Sequence, residues 1–149
     1  MKLHEKEIRS AVRSVWSTQL GLEIHDAEEP ASRSAAQKMT AAIHLSGDHR
    51  GGIRLDCSRL LIRRAASIMF DLPVDRLSED DERDVIGELT NVIAGNIKAL
   101  FPGSNSISLP TIIDGSDYTV STLDVKASEA FSFSLDGEHM TVTIFEHRS

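Results

Sequence analysis

Apolar residues recur at helical spacing from Leu3 to Leu20, where Leu3, Ile8, Val12, Val15, Trp16 and Leu20 alternate with Glu, Lys and Arg. That period predicts an amphipathic helix with one buried stripe, ending near Gly21. The stretch HDAEEPASRSAA that follows is polar, contains Pro30 and has no period, so it reads as a loop or irregular connection. MTAAIHLSG and GGIRLDC then alternate apolar and polar positions on either side of Asp48, His49 and Arg50, which predicts an antiparallel hairpin turning at Gly47-Asp48. Ser58 opens SRLLIRRAASIMF, whose Leu61, Ile62, Ala65, Ile68 and Met69 fit a short second helix ending before Leu72-Pro73.

Ser78 starts a third helix. Asp81 stands three residues on, and Glu79, Asp80 and Glu82 crowd the first turn, where carboxylates suit the positive end of the helix dipole. The helix should run from about Glu79 to Leu100 or Phe101 and stop at Pro102-Gly103. Four alternating runs follow, SISLPTII, DYTVSTLD, AFSFSL and HMTVTIFE, separated by Asp114-Gly115, a polar bend near Lys126 and Asp136-Gly137. Asp-Gly between such runs is a strong hairpin signal. Strands that follow strands directly predict an α+β fold, a mostly antiparallel sheet with helices packed on one face. Residues 1–149 read as one domain, with no internal repeat and no low-complexity tract.

The third helix is two-faced. Stepping ~100° per residue from Asp84 gathers Glu88, Asn91, Gly95 and Lys98 into one sector, with Gly87 and Ala94 at its edge. Val85, Ile86, Leu89, Val92, Ile93, Ile97 and Leu100 lie opposite and should pack on the sheet. Asn96 falls toward that apolar side, which predicts a structural amide bonded to nearby backbone. Two glycines inside a helix cost roughly 1 kcal/mol each relative to alanine. Their lack of a side chain fits either close packing within the domain or the close approach of another surface. A Glu-x-x-Asn pair alone also fits an ordinary solvated helix face.

Composition narrows the partners. The net charge is −7 and the basic residues are scattered, with no basic stripe, which argues against nucleic acid and an anionic membrane surface. The sequence has no run of ~20 apolar residues to span a bilayer and no secretory pattern at its start, so the expected location is the cytoplasm. One cysteine, Cys57, excludes an internal disulfide and reads as a small buried hydrophobe. The six histidines show no metal-ligand spacing, and no nucleophile elbow or phosphate loop is present. No metal site is expected.

The string GELTNVIAGNIKALFPG, followed by SLPTII and a glycine, resembles the CheX branch of the CheC/CheX/FliY family of chemotaxis phosphatases. VWSTQLGLEI and SGDHRGGIRL are similar to the corresponding parts of that family, so the likeness covers most of the chain. Its sharpest element is an acidic-x-x-x-Glu-x-x-Asn signature, matched by Asp84, Glu88 and Asn91. CheC-type members carry a second copy, but here the first helix offers only Glu7-x-x-Ser10, which is the one-site CheX pattern.

The resemblance implies a phosphatase that hydrolyses the aspartyl phosphate of a phosphorylated CheY-like response regulator. Glu88 would anchor a lysine of the regulator and Asn91 would orient the attacking water, with Asp84, Gly87, Ala94, Gly95 and Lys98 forming the docking surface. The chain would need no cofactor of its own, since the receiver would bring the Mg2+. A homodimer is implied as well. The alternative is a non-catalytic binding or sensory module that docks a receiver or another signalling protein on the same face.

Overall fold

The computed structural model describes residues 5–28, 38–113 and 125–147. Its elements are helix α1 (Glu5–Leu20), strands β1 (His25–Ala27), β2 (Lys38–Gly47) and β3 (Gly51–Ser58), helix α2 (Arg59–Phe70), a 3₁₀ turn at Val74–Arg76 and helix α3 (Glu79–Lys98). Strands β4 (Asn105–Ile107), β5 (Thr111–Ile113), β6 (Val125–Leu135) and β7 (Glu138–His147) complete the order. All pairings are antiparallel, in the order β1-β6-β7-β3-β2-β4, with β5 also pairing with β2.

Strand periodicity sorts the sheet into two faces. Ala41, Ile43, Ile53, Leu55, Phe131, Phe133, Met140 and Val142 point inward and join Val12, Trp16, Ile62, Ile86, Leu89 and Ile93 in one core. The helices therefore cover one face, as the α+β pattern predicts. The other face carries Thr40, Asp56, Ser132, Thr141 and Thr143, and neighbouring side chains bury even these. Thr40 Oγ1 donates to Asp56 Oδ1 at 2.6 Å, and Arg54 Nε lies 2.9 Å from Asp56 Oδ2, so the buried carboxylate is compensated.

Local chemistry sets the boundaries. Gly21, at φ +67°, ends α1 with its N–H bonded to Ser17 O and that of Leu22 to Trp16 O. Asp136 and Gly137 both take positive φ in the β6–β7 hairpin, as a tight two-residue turn requires.

Three expectations change. The polar stretch after α1 begins with a strand, β1, held to β6 through His25–Ser134 and Ala27–Ser132. SISLPTII is two short strands on the same edge of β2, because Pro110 supplies no N–H and one extra residue falls between the Ile107–Leu45 and Thr111–Ala42 pairs. The bend near Lys126 is a register shift within β6, between Val125 and Ala127. DYTVSTLD and the Asp114-Gly115 turn lie outside the described residues.

Candidate functional site

Helix α3 starts from a capping box. Ser78 Oγ accepts from Asp81 N at 3.1 Å, and Asp81 Oδ2 accepts from Ser78 N at 2.9 Å. One turn on, Glu82 is not part of a solvated acidic cluster. It is 2% exposed, with Oε1 2.7 Å from Arg59 Nε and Oε2 2.5 Å from Arg63 Nη1. Arg63 Nη2 also donates to Val74 O at 2.5 Å, so one buried carboxylate ties α3 to α2 and the 3₁₀ turn.

The other end of α3 is tied to the sheet. Asp48, in the β2–β3 turn, accepts from Ser104 N at 2.8 Å and donates its own N–H to Ser104 O at 3.0 Å. His49 N donates to Asn105 Oδ1 at 2.8 Å, and the His49 and Phe101 rings stand 5.3 Å apart. Between these anchors Val85, Ile86, Leu89, Ile93 and Ile97 are buried.

Asp84, Glu88 and Asn91 are exposed on the opposite face, with Gly95 and Lys98 half-buried beside them. From Asp84 to Lys98 this face extends roughly 21 Å at ~1.5 Å per residue. Among the described residues, the side chains of Glu88 and Asn91 have no hydrogen-bonding or charged partner.

The two glycines differ. A Cβ on Gly95 would meet nothing within 4 Å, whereas one on Gly87 would lie 3.5 Å from Ile112 Cδ1 and 3.7 Å from Pro110 Cγ. Gly87 and Ala94 are buried, so they lie beneath the face and present no docking surface of their own. The loop into β5 rests over Gly87 at ordinary contact distance, which leaves room for a methyl, so close packing does not by itself require the glycine. Asn96 is exposed, which corrects its expected structural role. The buried arc of α3 narrows toward its last turn, so the angle that buries Leu89 no longer buries Asn96.

Two hollows elsewhere do not include this face. One of ≈ 50 Å³ is lined by Ile8, Leu45, His49, Phe101 and Phe145. The other, of ≈ 380 Å³, runs along α1 by Ser10, Arg13, Ser17 and His25. Among the described residues no three His, Cys, Asp or Glu side chains are grouped to hold a metal ion. No helix among them is long and apolar enough to cross a membrane. Cys57 is fully buried beside Asp56 and Glu138, and burial pushes its thiol pKa strongly up, so the thiol stays protonated and unreactive. The polar groups of the α3 face are exposed along one side of a helix, a display that a complementary protein surface can cover.

Known proteins give this geometry a context. No curated protein matches the chain. A crystal structure of the chemotaxis protein CheX from Vibrio vulnificus aligns with a TM-score of 0.78 at 19% identity, covering 96% of this chain and 95% of that one. The CheX-CheY-BeF3-Mg+2 complex from Borrelia burgdorferi aligns at 0.70 and 24% identity, covering 96% and 97%. A chain of the FliM-SpeE complex from H. pylori aligns at 0.63 and 8% identity, covering 98% and 90%. At these identities the structural likeness establishes the fold. The family model for the chemotaxis phosphatase CheX matches residues 39–134, which take in β2 from Met39 onward, β3, α2 and all of α3 with Asp84, Glu88 and Asn91, and the chain belongs to that family.

Proposed function

We propose that this protein dephosphorylates a CheY-like response regulator in the cytoplasm, with Glu88 and Asn91 completing an active site whose other half belongs to the receiver. The observation that carries the reading is the exposed, unengaged Glu88/Asn91 pair on a helix fixed at both ends, in a chain of the CheX family. Glu88 forms an ion pair with a receiver lysine. Asn91 enters beside the acyl phosphate, where its carboxamide oxygen accepts from a water and its NH2 donates to a phosphoryl oxygen. The water attacks phosphorus opposite the aspartyl oxygen. The P–O bond to that oxygen breaks, leaving inorganic phosphate and a free aspartate.

An acyl phosphate is already activated, so holding the water in line supplies most of what is needed. A neutral amide also avoids the repulsion a carboxylate would meet there. Magnesium and the phosphorylated aspartate are the receiver's.

The test is phosphate release from a phosphorylated receiver in the presence of the pure protein. Release well above the receiver's own decay supports the reading; release at the decay rate, across the receivers of the source organism, rejects it. A second reading, a docking module without catalysis, draws on the occurrence of the same fold in the FliM-SpeE complex. Binding of the receiver without faster release would select it. Sedimentation of the pure protein would test the homodimer.

A further inference from the structure

Leu109 is 85% exposed, more than any other large hydrophobic side chain among the described residues. It does not hang from a loose loop. Ser108 N donates to His44 O at 2.9 Å, and Ser108 Oγ accepts from His44 N and donates to Leu109 O, both at 2.9 Å. On its other side Pro110 fixes φ and rests against Gly87, the residue one helical turn before Asn91. Both flanks of Leu109 are thus held, and one is seated against the helix that carries the site. Leaving an isobutyl group in water at a rigid position forgoes the stabilisation its burial would bring.

Resting on the proposed function, we propose that Leu109 is a positioning residue for that reaction: an apolar contact that packs on the receiver beside its phosphorylated aspartate and sets how the receiver sits on α3. The receiver is the occupant because Pro110, the residue next to Leu109, lies over Gly87, one helical turn before Asn91, which puts Leu109 at the border of the proposed Glu88/Asn91 face. The polar pair supplies charge recognition and water placement, while Leu109 supplies apolar area beside it.

The test compares Leu109→Asn and Leu109→Met with wild type in steady-state dephosphorylation of a phosphorylated CheY-type receiver. It is paired with binding to the same receiver activated by beryllofluoride and Mg2+. Removing an exposed side chain should leave the melting temperature unchanged. Leu109→Asn should raise KM and weaken binding roughly tenfold with kcat preserved, and Leu109→Met should restore both. KM and binding within twofold of wild type for Leu109→Asn would overturn the assignment. So would a fall in kcat at unchanged affinity, or a change in oligomeric state at unchanged KM, which would place Leu109 between copies of this chain. If wild type itself neither binds nor dephosphorylates any receiver, the function fails rather than the role of Leu109 within it.

Discussion

In the proposed mechanism, Asn91 and Glu88 divide work that a charged pair could not share. The acid is suited to a cation at a distance, and the amide to a crowded anionic centre. Asn91→Ala should therefore lower turnover roughly hundredfold, the scale on which single positioned amide donors act, while leaving affinity for a beryllofluoride-activated receiver near wild type. Glu88→Ala should weaken both. Titrating each variant against the receiver, with phosphate release as the second readout, separates the two roles. The glycines provide a further check. Gly95→Ala adds a methyl in open space and improves helix propensity, so it should stabilise the protein by about 1 kcal/mol yet lower receiver affinity if that face docks. Gly87→Ala meets Ile112 and Pro110 at ordinary contact distance, so it should be tolerated and leave affinity unchanged. Thermal melting with parallel binding measurements decides both cases.

At the scale of elements, α3 depends on its start. Ser78→Ala removes the cap and should cost about 1 kcal/mol, a fall in melting temperature of roughly 2–4 °C for a chain of this size. Glu82→Ala should cost more, about 2 kcal/mol, because it strips two arginines of their shared carboxylate. The loss stops there because both arginines retain access to water and are not stranded in the core. The capping box was legible in the sequence because it is a local motif. The buried role of Glu82 was not, since its partners Arg59 and Arg63 lie on another helix and nothing local separates it from Glu79 and Asp80. The same holds for β1, whose three residues have no period and exist as a strand only because β6 pairs with them. Leu109 left its signal in SISLPTII, where the Leu-Pro step interrupts the alternation. That Leu109 alone among the large apolar residues there is exposed is a property of the finished packing.

For the molecule as a whole, the alternation of polar and apolar residues was enough to give antiparallel strands and a helical layer. The order of the strands was not readable, because β7 sits between β6 and β3 through contacts distant in sequence. The buried Cys57 makes global stability sensitive to alkali. Its folded thiol is held protonated while the unfolded thiol ionises above pH about 8.5, so the unfolded state binds fewer protons there and stability falls as pH rises. The melting temperature of wild type should drop more steeply between pH 8 and 10 than that of Cys57→Ala, even if the variant starts lower. Finally, the residues that would choose a partner stand on one strip of α3 while its underside holds the core. Asp84, Glu88, Gly95 and Lys98 can accordingly change with little consequence for folding. Under the proposed function, a lineage with several receivers could retune which one this scaffold silences by rewriting a few letters along one helix, keeping parallel signalling circuits insulated without building a new protein for each.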